Sequence, residues 1–172
     1  MKRSLLLGCG NSRVKKIATV DKPDWIGELT TMDMDKNCNP SIAWDFNKSH
    51  FMPFDDNTFD ELAAFDSLEH WGNQGDWKGY FDEFSEYHRI LKPGGEFGII
   101  VPIGQDAFAD PGHVRFFHKN HFGFLSQQFY EDNLKAGNPI TDYRWYYKKD
   151  FEIIFMEQHG DHHLAVVLRK PL

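Results

Sequence analysis

The stretch Ser4-Leu-Leu-Leu-Gly-Cys-Gly10 decides the fold. Lys2 and Arg3 ahead of the leucines, with Cys9 behind Leu-Leu-Gly, have the outline of a bacterial lipoprotein signal. Such a signal needs an apolar run of roughly 7–15 residues. Here only Leu5, Leu6 and Leu7 precede Gly8. The better reading is a short buried strand, Ser4 to Leu7, followed by a Gly-x-Gly turn at Gly8, Cys9 and Gly10. A strand that ends in a glycine turn lets a ligand approach bare backbone in α/β proteins.

Outward from this turn, further short apolar runs recur. Glu28–Asp33, Ile42–Asp45, Glu61–Phe65 and Glu96–Val101 read as strands, mostly without the alternation of a half-exposed sheet. Trp77 to Leu91 reads as a helix, because Tyr80, Phe81, Phe84, Tyr87, Ile90 and Leu91 recur at helical spacing. Lys92-Pro-Gly-Gly95 is its stop signal. Phe151–Glu157 and His163–Arg169 flank a turn at His159-Gly-Asp161 and should pair antiparallel. The pattern predicts an α/β fold: a Rossmann-like, doubly wound, mostly parallel sheet with a C-terminal antiparallel hairpin. Residues 105–147 interrupt the alternation. They are expected to cover the carboxyl end of the sheet as a substrate or lid insertion.

The length of 172 residues suits a single domain spanning 1–172. A net charge of -7 argues against broad contact with nucleic-acid phosphates. No segment approaches the ~18 apolar residues of a membrane span. Two cysteines, Cys9 and Cys38, make neither a disulfide framework nor a metal-ligand spacing, and a reducing cytoplasm fits them. His159, His162 and His163 read as solvated turn histidines, so no metal is expected. Tyr143, Trp145, Tyr146 and Tyr147 read as core or as an interface, which leaves a homodimer open.

Ligands of open α/β sheets bind beyond the carboxyl ends of the strands. There the first strand offers the glycine turn. The second ends at Asp33, 23 positions after Gly10 and so near the spacing at which an acid meets ribose hydroxyls. The third ends at Asp45, and the fourth runs into Asp66 and Ser67. Such a rim suits a ligand with a ribose, an amine-bearing base and a positive charge. Arg13 stands where a dinucleotide fingerprint wants its third glycine, and no Gly-Lys-Ser/Thr follows the turn, so neither NAD nor ATP is favoured.

Leu5-Leu-Leu-Gly-Cys-Gly10, Met32-Asp-Met-Asp35, Ala43-Trp-Asp-Phe46, Phe65-Asp-Ser-Leu-Glu-His70 and Arg89-Ile-Leu-Lys-Pro-Gly-Gly95 together resemble a small class I S-adenosylmethionine-dependent methyltransferase of the type-11-like group, over roughly Leu5 to Pro102. The resemblance implies S-adenosylmethionine as cofactor. Gly8, Cys9 and Gly10 would lie against its methionine part and Asp33 would bind the ribose, with Met34 against the adenine. Asp45 would meet the adenine amine, with Phe46 beside it. Asp66 and Ser67 would line the reactive end. The chain departs from the family pattern at Ser12, where a third glycine is common. The helix after the glycine turn is weakly patterned. The usual amino-terminal cover over the cofactor is absent ahead of Ser4, so cover is expected from residues 105–147 or a second subunit.

Three residues are candidates for catalysis. His70 follows the fourth strand and can serve as a base near neutral pH. Asp110-Pro-Gly-His113-Val-Arg115-Phe-Phe117 resembles a stretch that related enzymes carry after the fifth strand. In it His113 is a candidate base, and Arg115 is a candidate partner for an acidic acceptor group. The alternatives are a surface Asp pairing with Arg115 and a helix cap for His113. A small-molecule acceptor is expected. Nucleic acid is disfavoured by the charge and by Asp66-Ser-Leu-Glu69, which replaces the Asn/Asp-Pro-Pro-aromatic segment of such enzymes. A non-catalytic cofactor-binding or scaffold protein of the same fold is the alternative.

Overall fold

A computed structural model describes residues 1–17 and 24–172. Seven strands form one sheet: β1 (Arg3–Leu7), β2 (Glu28–Asp33), β3 (Ile42–Ala43), β4 (Phe59–Phe65), β5 (Leu91–Pro102), β6 (Glu152–His159) and β7 (His163–Arg169). Their order is β3-β2-β1-β4-β5-β7-β6. The pairs from β3 to β5 are parallel, and β7 is antiparallel to both β5 and β6. The chain reverses direction across the sheet between β1 and β4, which is where such folds open a ligand crevice. Among the described residues, no helix is long and apolar enough to cross a membrane.

Helix α1 (Trp77–Ile90) starts where the Asp76 side chain accepts from Gly79 N at 3.0 Å. It buries Phe81, Phe84, Tyr87 and Ile90 against one face of the sheet, where Leu5, Leu7, Leu62, Phe97 and Ile99 await them. No loop follows: β5 begins at Leu91, and Lys92-Pro-Gly-Gly95 lies within its irregular first turn of pairing. β3 stops at Ala43 rather than Asp45, because Asp45 opens a turn, its Oδ1 accepting from Asn47 N and its carbonyl from Lys48 N.

Residues 105–147 divide in two. The first part, through a short turn at Asp106–Phe108 and on to Arg115, runs across the carboxyl end, where Val114 N and Arg115 N donate to the Glu69 carbonyl. The second part holds α2 (Lys119–Gly123) and α3 (Gln127–Lys135). It packs Phe117, Phe122, Leu125 and Tyr147 into the α1 face and returns to the amino end, where Phe151 N meets the Leu125 carbonyl. This part is the β5-to-β6 connection, and its Tyr143, Trp145 and Tyr146 pack on Trp77 at the start of α1.

The opposite face is thinner. Leu6, Cys9, Ala63, Phe65, Ala165 and Val167 pack with Ile17 and Trp25, and among the described residues none of this cluster belongs to a helix. A buried ion pair, Lys15 to Glu61 at 2.5 Å, ties the segment after the glycine turn to β4. The weakly patterned helix expected there is not formed over residues 11–17; residues 18–23 lie outside the described residues.

Candidate functional site

The glycine turn sits over the end of β1 with Gly8 at φ +60° and Gly10 at φ +47°, a region that disfavours side chains. A Cβ on Gly8 would collide with the Cβ of Ser67, which lies underneath. A Cβ on Gly10 would meet no atom within 4 Å, so the space above the turn is open. Asp33 closes the crevice beside it: Gly10 N donates to Asp33 Oδ2 at 2.8 Å, and Asp35 N to Oδ1 at 2.9 Å. Each oxygen keeps a lone pair for a further donor. Trp44 N donates to the Asp33 carbonyl at 2.8 Å, bringing Asp45 alongside. Gly8, Gly10 and Asp33 thus meet at the carboxyl ends of β1 and β2, and Asp45 follows the end of β3.

The other expected rim residues vary in their surroundings. Cys9 is buried, and that burial pushes its thiol pKa up, away from a nucleophile's range. Met34 is exposed, free to lie along a ligand. Phe46 is buried and stacks on Trp71 with ring centres 3.9 Å apart, beside Gly8. Ser67 is buried and donates to the Leu7 carbonyl at 3.3 Å. Asp66 turns toward the opposite face, pairing with Lys16 at 2.5 Å and standing 3.4 Å from His163 Nε2.

Past β4, the 3-10 turn Leu68–His70 brings the catalytic candidates together. The His70 and His113 rings meet edge to face at 4.8 Å. Each places Nδ1 on a backbone carbonyl, His70 on Gly112 at 3.1 Å and His113 on Ala107 at 3.0 Å. His113 thus anchors the loop rather than capping a helix. Arg115 is buried, donating to both Glu83 oxygens at 2.7 and 3.1 Å and to the Leu68 carbonyl at 3.0 Å. Its guanidinium faces α1, and the partner is a buried glutamate rather than a surface Asp.

Three further residues, none of them given a site role in the sequence, contribute here. Glu69 is buried between the histidines and the sheet, and desolvation pushes its carboxyl pKa up to about 7. Its place in the Leu68–His70 turn past β4 brings it to the candidate site, but nothing local in the sequence marks it as buried. Arg13 donates to the carbonyls of Gly10, Ser12, Cys38 and Asn39, stapling the glycine turn to the β2–β3 loop. Asn47 donates to the His70 carbonyl and accepts from Gly72 N, joining the Asp45 turn to the histidine turn.

An aromatic cavity of about 250 Å³ opens beside α1, walled by Trp77, Tyr80, Phe116, Phe124, Tyr143 and Arg115. None of its lining residues belongs to the glycine turn or the ends of β1, β2 and β3.

Comparison with known proteins agrees with this geometry. Residues 5–99 match a family model described as a methyltransferase domain. A search of curated proteins returns no match. Among solved structures, the N-methyltransferase NodS from Bradyrhizobium japonicum is similar with a TM-score of 0.59 at 14% identity, over 99% of this chain and 86% of that one. An S-adenosylmethionine-dependent methyltransferase from Methanosarcina mazei gives 0.56 at 15%, over 99% and 92%. Geranyl diphosphate C-methyltransferase from Streptomyces coelicolor, solved with Mg2+, geranyl diphosphate and S-adenosyl-L-homocysteine, gives 0.54 at 12%, over 99% and 74%. The open space over Gly10 and the lone pairs on Asp33 fit such a cofactor. The chain belongs to the methyltransferase domain family, and its cofactor is S-adenosylmethionine.

Proposed function

We propose that the protein transfers the methyl group of S-adenosylmethionine to a small-molecule acceptor. One observation carries the reading: Asp33, at the end of β2, is held against the open Gly8–Gly10 turn by the Gly10 N–H. In this reading Gly8, Cys9 and Gly10 offer backbone to the methionine part, Asp33 takes the ribose hydroxyls and Asp45 the adenine amine. Met34 and Phe46 flank the base. Ser67 supports the turn from below, whereas Asp66, expected at the reactive end from its place after β4, is engaged by Lys16 on the opposite face.

When bound, the cofactor supplies a methyl group on a sulfonium, and transfer is an in-line displacement governed by positioning. The chain's own task is to hold the acceptor at the carboxyl end of β4. His70 and His113, with Nδ1 engaged on carbonyls, leave Nε2 of each ring to accept a proton from the acceptor. Arg115, paired with Glu83, serves by fixing the loop that carries His113 and by walling the aromatic cavity. Residues 105–116 act as cover, and the cavity supports an apolar or aromatic acceptor.

A thermal-shift series with S-adenosylmethionine, S-adenosylhomocysteine, NAD and ATP tests this. A ligand at ~100 times its dissociation constant adds about 2.7 kcal/mol of stability. A rise of several degrees with both S-adenosyl compounds and neither nucleotide is expected. No rise at millimolar ligand would return the chain to the scaffold reading.

A further inference from the structure

Glu69, His70 and His113 offer one ligand atom each, a carboxylate oxygen and two ring nitrogens, all within 4.8 Å of one another. The Glu69 side chain is 2% exposed and that of His113 11%. Glu69 Oε1 lies 3.8 Å from His113 Nε2, beyond hydrogen-bond reach, and Oε2 is buried with no hydrogen-bond partner. That buried oxygen has lost its water with no hydrogen bond in its place. Arg115, a nearby cation, is committed to Glu83.

The backbone arrangement is that of a prepared ligand set. Histidines that bind metals commonly donate the other ring N–H to a carbonyl, which fixes the tautomer and turns the lone pair toward the ion. Ala107 and Gly112 supply such carbonyls to the two Nδ1 atoms. The geometry points to a mononuclear divalent transition-metal site formed by Glu69, His70 and His113. Two imidazoles and a carboxylate suit Zn2+, Fe2+, Mn2+ or Co2+, whereas Mg2+ and Ca2+ prefer all-oxygen shells. Ligand atoms about 2.0–2.2 Å from a tetrahedral zinc ion stand roughly 3.3–3.6 Å apart, so an inward turn of the half-buried His70 by about an ångström closes the set. Three protein ligands leave a position open for an oxygen of the acceptor.

Metal binding stands on this geometry alone, and only its role in holding an acceptor rests on the methyltransferase reading. In that role the two imidazoles hold the acceptor through the ion instead of taking its proton.

The test is a Co2+ titration of chelator-treated, desalted protein, followed by visible d–d absorption. One Co2+ per chain is expected, displaced by Zn2+ and not by Mg2+. His70→Ala should weaken Co2+ binding at least tenfold, while His159→Ala/His162→Ala leaves it unchanged. Histidine ring NMR of the wild-type protein with Zn2+ provides a second reading that needs no variant: His70 and His113 should shift. Absence of the Co2+ spectrum, or its loss only in the hairpin double variant, overturns the site. S-adenosylhomocysteine calorimetry on the same metal-free sample keeps the two readings apart. Protein that binds the cofactor but takes up no Co2+ overturns the metal site alone, and protein that takes up Co2+ but binds no cofactor supports the site while sinking the methyltransferase reading.

Discussion

Arg115 and Glu83 form a buried two-pronged ion pair across the space between the β5–β6 connection and α1, with side chains 6% and 4% exposed. Tyr87 adds its hydroxyl to Glu83 Oε1 at 2.7 Å. Removing one partner leaves the other charge buried and alone, which typically costs about 3–5 kcal/mol. Arg115→Ala and Glu83→Ala should each lose stability on that scale in urea denaturation. The double variant Arg115→Met/Glu83→Leu should lose much less than the two single losses summed, because it leaves no lone charge.

Asp33→Ala removes a charged acceptor from the cofactor's expected ribose position. Titration calorimetry should show S-adenosylhomocysteine binding weakened by about 1.5–3 kcal/mol, roughly ten- to a hundredfold. Unchanged affinity would take Asp33 out of the site.

The two glycines of the turn should fail differently. Gly8→Ala meets Ser67 and carries a positive φ, so it should lower stability by at least about 2 kcal/mol. Gly10→Ala has room around its Cβ and should lose only about 1–2 kcal/mol from its φ. In the proposed site its new methyl enters the space assigned to the cofactor, so calorimetry of Gly10→Ala should show a loss of affinity out of proportion to its loss of stability.

His88 gives the fold an acid-sensitive point. Burial, aided by Lys170 and Lys149, pushes its pKa down to about 4 from an ordinary 6.5. Above pH 6.5 the ring is neutral folded or unfolded and contributes no pH dependence. Between pH 6.5 and 4 the unfolded chain takes the proton first, so stability falls as pH falls. His88→Gln should flatten the fall in Tm across that window. An unchanged slope would place the acid sensitivity elsewhere.

The strands were legible because short apolar runs between turn residues have few other uses. β2 and β7 begin and end where the sequence puts them, and α1 ends one residue early. The errors share a cause. Lys92-Pro-Gly-Gly95 carries a strong local turn signal, yet pairing with β4 and the contacts of Gly94 and Gly95 with Lys170 draw it into β5. The apolar residues of 117–147 do not say which surface they cover, and that surface proved to be α1. In the site, Asp33 and the glycines were readable from spacing along one pair of strands. Glu69 was not, because its burial depends on residues 113–115 folding back across it from more than forty positions away. Arg115 misled for the same reason: its partner, Glu83, is a helix residue with no local link to it.

The sheet order also bears on how the chain is made. β6 precedes β7 in the chain, yet β7 inserts between β5 and β6. A growing polypeptide therefore exposes β6 before its neighbour β7 is available to it, and β5 waits with one edge open. That interval favours strand exchange between nascent copies, and shortening it through a slow-to-fast codon change at the β6–β7 turn is a route to better soluble yield.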